Sequence, residues 1–289
     1  MEALALADRL AQGGRVQDLT GGGKALGLNR VYRLWPSDSE SQILKVYGTP
    51  ARERRERHAL EALGEIPGLP VIIDRGSEGD TVWALFADAG QWTFGALPEN
   101  PSLAAKAGEI LATVHNSTAD AMSNLSRGID QEWVTVDFLS TFRRLERYRG
   151  RIGVTAEQLD AARRVRPPYA SEPKAAHTEP KPANFLVNEQ GDVTLINWEW
   201  ATLAPPEWDL SKAVWLTSIR SGPNAATALQ EGYGRHMDPA QLDRWIVYHA
   251  AMNLVHEAEQ QISGGGPESY DDLVAELQRA VTGSGTETA

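Results

Sequence analysis

A short loop-like segment concentrates side chains that could perform acid–base and metal chemistry. It reads HTEPKPAN and brings His177, Glu179 and Asn184 together between prolines. A second polar group, INWE, follows with Asn197 and Glu199 on an apparent strand, whose alternation would place both side chains on one face. Two neighbouring oxygen-rich elements can bind a divalent cation together with phosphate oxygens. The alternative is a capped hairpin that carries incidental polar residues.

A glycine-rich stretch near the N-terminus could approach phosphate groups. Gly21, Gly22 and Gly23 lie in TGGGKALGLNRVYRL, between two predicted strands. A glycine turn lets backbone N–H groups contact phosphate oxygens closely. Because the stretch matches neither the dinucleotide fingerprint nor the GK[ST] loop, the stretch by itself favours a flexible hairpin turn over a phosphate contact.

One lysine inside a short apolar strand is a candidate anion ligand. Lys45 lies in ILKVYG, and the charged helix ARERRERHALEALGEI follows it. A strand lysine held by a helix glutamate can bind nucleotide phosphates as a point charge. Glu56 is the predicted partner, since it precedes Leu60 by one helical turn and so lies near the apolar stripe; Glu53 is the second choice. The alternative is an edge-strand lysine beside a solvated helix.

The elements that must position these residues change in character along the chain. The pattern of apolar residues predicts a β-rich lobe with one helix over residues 1–88, with a hinge at its end. It predicts a larger helical lobe over residues 89–282 and a frayed tail over 283–289. Helix starts are indicated at Pro101, at the Thr155–Gln158 capping box and at Asp238-Pro239. The predicted fold class is therefore α+β, with a small N-terminal and a larger C-terminal lobe.

Composition limits the function classes. The net charge of −11 argues against a nucleic-acid surface and would suit a cationic substrate. No apolar run of about 18 residues is present, which predicts no membrane span. The first residues lack a basic flank followed by an apolar block, so no secretory signal is expected. The absence of cysteine excludes disulfides, thiolate catalysis and Cys-ligated zinc, and it fits a cytoplasmic location.

Taken in order, these motifs resemble the aminoglycoside phosphotransferase and choline kinase group of the protein-kinase-like fold. That family usually shows H-G-D-x-x-x-x-N, then I-D-W-E, then Asp-Leu at a helix start. The corresponding stretches here are HTEPKPAN, INWE and PEWDL, the last with Asp209. The helix AGEILATVHN, ending near His115, is a further point of similarity. The most specific part of the resemblance spans residues 177–215.

The resemblance implies a nucleotide, ATP or GTP, between the lobes. Gly21, Gly22 and Gly23 would then cover its phosphates, Lys45 held by Glu56 would contact them, and the backbone at Phe86, Ala87 and Asp88 would receive the adenine.

The resemblance also implies roles for the C-terminal motifs. Asn184 would bind magnesium, together with Asn197 and Glu199. Glu179 would be the catalytic carboxylate, His177 would brace the loop, and Asp209 would cap its helix and hold the loop in shape.

Two residues depart from the family pattern at its most demanding positions. The catalytic aspartate is Glu179 here, and its extra methylene shifts the carboxylate by about 1 Å, a misplacement that can cost on the order of 100-fold in rate. The metal-binding aspartate is Asn197 here, which can offer an oxygen but no charge.

The sequence thus predicts a phosphotransferase, impaired or atypical, that acts on a hydroxyl of a small, cationic, antibiotic-like substrate. Glu257 and Glu259 are candidate contacts for such a cation, with a solvated helix face as the alternative. Two other functions stay open: a pseudokinase that serves as a binding or scaffolding module, and a kinase for Ser or Thr in a peptide.

Overall fold

The structure is a computed structural model that describes residues 3–20, 29–37, 39–117, 122, 128–262 and 270–285. Gly21, Gly22 and Gly23 lie outside the described residues. Their predicted contact with phosphate groups therefore stays a prediction.

The N-terminal part is built on a five-stranded antiparallel sheet flanked by two helices. Its elements are α1 Ala3–Leu10, β1 Arg15–Asp18, β2 Arg30–Trp35, β3 Gln42–Tyr47, α2 Pro50–Leu63, β4 Ile72–Glu78 and β5 Thr81–Ala87. The strand order in the sheet is β1-β2-β3-β5-β4. Apolar side chains from β2, β3 and β5 pack against α1 in one cluster that includes Leu6, Leu44 and Trp83. The opposite side of the sheet joins α2 to the core of the helical part through Tyr47, Leu60 and Phe86.

The C-terminal part is mainly helical and carries two small sheets. Its helices are α3 Pro101–His115, α4 Gln131–Ile152, α5 Ala156–Arg164, α6 Pro206–Ser221, α7 Pro223–Tyr233, α8 Pro239–Ile262 and α9 Asp271–Gly283. Its strands are β6 Trp92–Thr93, β7 Lys174–Ala176, β8 Phe185–Val187, β9 Val193–Leu195 and β10 Thr202–Ala204. They pair as β6-β8-β9 and as β10-β7, and they hold the segments on either side of HTEPKPAN.

Helices α3 and α7 cross at unusually close range. A Cβ atom added at Gly108 of α3 would lie 2.0 Å from the backbone oxygen of Leu229, and one added at Gly232 of α7 would lie 2.0 Å from that of Ala105. Glycine is required at both positions because the two backbones themselves are in contact. This crossing fixes His115, the last residue of α3, beside Tyr233, the last residue of α7.

The predicted helix starts are confirmed by their capping contacts. Asn100 accepts from Leu103 N ahead of Pro101, and the Thr155–Gln158 capping box makes both reciprocal bonds. Asp238 accepts from Gln241 N at the start of α8. The α+β fold class is confirmed, with a β-sheet N-terminal region and a helical remainder.

The lobe limits at 88 and 282 stay predictions. Across the described ranges, no helix combines the length and apolar character that a membrane crossing requires.

Candidate functional site

A buried ion pair links the N-terminal sheet to helix α2. Lys45 on β3 is 5% exposed, and its Nζ donates to Glu56 Oε2 at 2.7 Å. Tyr47 donates to the same oxygen at 2.7 Å, and burial together with the Glu56 charge raises the pKa of the tyrosine, which keeps it a donor. The predicted pairing of Lys45 with Glu56 is confirmed. Glu53, the second choice, accepts from Arg57 instead.

The same ion pair reaches the INWE segment. Glu56 Oε1 accepts from the backbone N–H of Trp198 at 3.0 Å, and Lys45 Nζ donates to Asn197 Oδ1 at 3.1 Å. The predicted strand for Asn197 and Glu199 is wrong. Asn197 has a left-handed backbone, φ 69°, and Trp198–Trp200 forms a 3-10 turn. Asparagine tolerates this conformation better than most residues do, and the turn aims the Asn197 side chain at Lys45.

An unbroken row of hydrogen bonds runs from Lys45 into the HTEPKPAN loop, residues 177–184. Asn197 Nδ2 donates to Asn184 Oδ1 at 2.9 Å, and Asn184 Nδ2 donates to the backbone oxygen of Glu179 at 2.8 Å. The structure thus brings Lys45, Asn197, Asn184 and Glu179 together, as their predicted roles require. What each of them does remains a prediction.

Glu199 lies on the side of this row that faces the N-terminal part. Its Oε2 accepts from Asn29 Nδ2 at 2.6 Å and is 3.8 Å from Lys45 Nζ. Asn29 also accepts from Gly48 N at 3.1 Å, so one amide connects three segments. Sequence reasoning missed Asn29, because nothing local marks an asparagine that follows a glycine-rich stretch as a contact for a residue far along the chain.

The segment His177–Glu179 takes its shape from Asp209. Thr178 has φ 68°, a conformation that is strained for a β-branched residue. The Asp209 carboxylate stabilises it by accepting from His177 N at 2.7 Å and from Thr178 N at 2.8 Å. Thr178 Oγ1 donates to Trp200 O at 3.0 Å.

The predicted bracing contact of Asp209 is therefore present, but its predicted helix cap is wrong. Helix α6 begins at Pro206, so Asp209 lies inside the first turn and points away to the loop.

His177 is held as a neutral ring. Its Nδ1 accepts from Glu179 N at 3.1 Å, which places the proton on Nε2, and Nε2 donates to Ile196 O at 2.8 Å. The ring also packs edge-on against Trp198. Complete burial lowers the pKa of His177, and the nearby Asp209 charge only partly opposes this shift. These contacts suit the bracing role that was predicted for it.

Asp209 is fully buried yet charged. Burial by itself would raise its pKa, but the hydrogen bond and charge of His115, with the backbone N–H of His177, hold the pKa of Asp209 below its ordinary value. His115 Nε2 lies 3.3 Å from Asp209 Oδ2, and its Nδ1 is 2.8 Å from the Tyr233 hydroxyl. The α3–α7 crossing therefore stabilises the anion that shapes the loop.

Lys212 is a site residue that the sequence analysis did not single out. It lies one turn after Asp209 on α6, its side chain is 5% exposed, and its Nζ donates both to the Glu179 carboxylate and, at 3.2 Å, to Thr178 O. Glu179 itself is 37% exposed. The available signal was the i, i+3 spacing from Asp209, which places both charges on one helix face.

The remaining predicted residues lie at the edges of the site. Phe86 is buried in β5, Ala87 N donates to Val71 O at 3.0 Å, and the Asp88 carboxylate pairs with Arg33. Adenine binding at this stretch stays a prediction. Glu259 is bound to Arg144 and Tyr148 in the contact between α4 and α8, which makes it a poor candidate for a substrate cation.

The donor set near Asn184 does not fit a bridging divalent cation. The Oδ1 atoms of both Asn184 and Asn197 are already acceptors for N–H groups of the row, and Glu199 is bound to Asn29. In the part of the chain that the structure describes, no group of three or more His, Asp or Glu side chains is placed to hold a metal. The predicted magnesium ligands are thus close together but oriented toward one another.

The family comparison covers most of the chain. Residues 25–245 match the sequence model of the phosphotransferase enzyme family, about three quarters of the protein. A search of curated protein sequences finds no match.

Solved structures show the same fold at low identity. Macrolide 2'-phosphotransferase MphH from Brachybacterium faecium superposes with a TM-score of 0.66 at 15% identity, with 100% of each chain covered. Spectinomycin phosphotransferase APH(9)-Ia, solved with ADP and spectinomycin, gives 0.65 at 14% identity, covering 99% of this chain and 98% of its own. Choline kinase LicA from Streptococcus pneumoniae gives 0.64 at 17% identity, covering 98% and 99%.

Proposed function

Because the chain belongs to the phosphotransferase enzyme family, we propose that it binds a nucleoside triphosphate between its sheet and its helical part and transfers the terminal phosphoryl group to a hydroxyl of a small molecule. ATP or GTP is the proposed phosphoryl donor. Among the solved structures with this fold, spectinomycin phosphotransferase was solved with ADP and an aminoglycoside 2'-phosphotransferase with GDP, which supports a nucleotide of this class.

The buried Lys45–Glu56 pair is the observation that carries the proposal. A lysine buried in a strand is costly unless its charge is used or paired. Here Glu56 fixes the lysine, and both residues also contact the INWE segment at Asn197 and Trp198. The ammonium is thereby held at the junction of the two parts of the chain, where a phosphate would be shared by both.

The proposed chemistry assigns each loop residue one task. The acceptor oxygen forms a bond to the terminal phosphorus, the bond to the nucleoside diphosphate breaks, and the hydroxyl proton passes to the Glu179 carboxylate. Lys212 holds one oxygen of Glu179, so the other is left to face the acceptor. Asp209 and His177 keep the loop backbone in position.

A small-molecule acceptor is favoured over a peptide. The similar structures are named for macrolides, spectinomycin and choline. A net charge of −11 supports a cationic acceptor through its overall field. The lack of cysteine supports the proposed cytoplasmic location.

A second candidate function is nucleotide binding without efficient transfer. Its support is the pair of departures at Glu179 and Asn197. The first carboxylate is engaged by Lys212, and the second position carries no charge. A protein of this kind would keep the cleft as a binding or scaffolding module.

Nucleotide titration tests the shared part of both functions. Calorimetry should give saturable ATP or GTP binding, and Lys45→Met should weaken it at least about tenfold, because a hydrogen bond to a charged group is worth about 1.5–3 kcal/mol. Lys174→Met, at an exposed lysine of β7, is the matched control and should bind as the parent does. Thermal unfolding establishes that each variant is folded.

Phosphoryl transfer is then measured with γ-labelled nucleotide and with a macrolide, spectinomycin or choline as the acceptor. Label on an acceptor supports the phosphotransferase; binding without transfer to any acceptor or to water favours the binding module. If neither nucleotide binds to folded parent protein, both candidate functions are wrong.

A further inference from the structure

We infer that nucleotide binding in this cleft does not depend on a divalent cation, because the neutral Asn197 directs its one side-chain oxygen at the Lys45 ammonium and its NH2 group toward Asn184, where a metal would bind. The inference rests on the proposed nucleotide site, and it departs from the magnesium use that the family resemblance implies. It follows from how the amide groups of Asn184 and Asn197 are oriented.

The orientation of the two amides is fixed by the groups at the ends of the row. Asparagine oxygen and nitrogen are normally hard to distinguish. Here the first end is the Lys45 ammonium, which can only donate, and the last end is the backbone carbonyl of Glu179, which can only accept. A donor at one end and an acceptor at the other allow a single arrangement, with Asn197 Oδ1 toward Lys45 and Asn184 Nδ2 toward Glu179.

Reversing either amide would create repulsive contacts. A flipped Asn197 would turn its NH2 group onto the Lys45 ammonium, 3.1 Å away, and its oxygen onto Asn184 Oδ1. A flipped Asn184 would face the oxygen of Glu179 with its own. Both residues are largely enclosed, with Asn184 only 5% exposed, so water cannot relieve such contacts cheaply.

This orientation presents a donor to the place where a bridging metal would bind. The gap between the Asn184 and Asn197 side chains is closed by the Nδ2–H of Asn197. An aspartate at 197 has two oxygens, one for the lysine and one for a cation, whereas asparagine has one. A cation on Asn197 Oδ1 would therefore share that oxygen with the Lys45 ammonium, and Asn197 brings no negative charge to offset the repulsion between the two positive charges.

Lys45 itself can supply the positive charge that a nucleotide needs. An ammonium has three N–H donors, and the bonds to Glu56 and Asn197 use two of them. The third makes no hydrogen bond to a described residue, since Glu199 Oε2 lies 3.8 Å away, and it can donate to a phosphate oxygen. Asn197 thus positions the lysine instead of a metal. The site then offers the nucleotide one fixed ammonium, in place of a lysine and a metal ion acting together.

Calorimetry of ADP and ATP in magnesium chloride and in EDTA tests the inference. The parent should give dissociation constants within about twofold of each other in the two buffers. Asn197→Asp should bind at least about tenfold more tightly with magnesium than without it, since it regains a charged oxygen ligand. Gln190→Glu adds the same charge at an exposed position of the β8–β9 turn and should behave as the parent does.

Two outcomes would overturn the inference. Parent binding that requires magnesium contradicts it while leaving the nucleotide site intact. If that requirement disappears in Glu199→Gln, then Glu199 supplies the ligand in place of Asn197. No nucleotide binding in either buffer removes the proposed function and this inference together.

Discussion

At the scale of single residues, Glu179, a departure from the family pattern, pairs with Lys212. The Glu179 carboxylate accepts a hydrogen bond from Lys212 on α6. The two partners differ in environment, because Lys212 is 5% exposed and Glu179 is 37% exposed. Removing Glu179 and removing Lys212 should therefore lower the stability of the protein by different amounts.

Glu179→Gln should destabilise the protein more than Lys212→Met does. The first change leaves a buried ammonium without its anion, which we expect to cost about 1–3 kcal/mol, whereas the second leaves a carboxylate that water can solvate. Urea unfolding of both single variants measures the difference. The double variant should recover part of the loss, as expected for residues in contact. A larger loss in Lys212→Met would show that the pair is not the main contribution of Lys212.

At the scale of elements, two helices determine the shape of the HTEPKPAN loop. Helix α6 supplies both Asp209, which accepts from the loop N–H groups, and Lys212, which donates to its carbonyl and carboxylate groups. Helix α3 stabilises Asp209 through His115, whose position depends on the close crossing with α7. A change in the distance between α3 and α7 should therefore alter the geometry of the site.

Gly108→Ala should destabilise the protein by about 2–3 kcal/mol. The added methyl group would meet the backbone of Leu229 rather than a movable side chain, so relief requires the helices to separate. Gly150→Ala is the matched control: Gly150 is exposed on α4 with no atom near its Cβ position, and alanine there should stabilise by about 0.5–1 kcal/mol. Equal effects of the two changes on the free energy of unfolding would contradict the close crossing.

At the scale of the whole molecule, buried neutral histidines couple folding to pH. His177 and His249 are completely buried, and burial lowers the pKa of each, that of His249 strongly. A group whose folded pKa is lowered contributes full stability above its unfolded pKa, about 6.5 for histidine, and loses it as the pH falls below that value. Asp209, whose pKa is also lowered, loses its contribution only at more acidic pH, below about 3.9.

The free energy of unfolding should therefore fall between pH 7 and pH 5, by about 1.4 kcal/mol per pH unit for each histidine that protonates on unfolding. His249→Gln should flatten this dependence, since glutamine does not titrate. His256→Gln, the same change at an exposed position of α8, should leave the slope unaltered. Chemical unfolding at several pH values provides the measurement, and a parent slope of zero in this range would contradict the prediction.

The sequence by itself determined the α+β class, the helix starts and the Lys45–Glu56 pair. These depend on local physical chemistry: hydrophobic periodicity, capping residues, and the one-turn spacing that places Glu56 on the inner side of α2. It also predicted that Lys45, Asn184 and Asn197 would meet near Glu179, because the ordered motifs indicated the family and with it the fold.

Only the tertiary structure decided how those residues are used. Lys45 and Asn197 are 152 positions apart, and Glu179 and Lys212 are 33 apart. No local sequence pattern predicts whether such groups meet as hydrogen-bond donor and acceptor, or with which side chain a carboxylate pairs. Packing between distant elements sets three features of the site. These are the left-handed backbone of Asn197, the direction of the Asp209 side chain toward the loop, and the burial of Lys212. In a buried environment each polar group must find a partner, and which partner it finds depends on the folded chain as a whole.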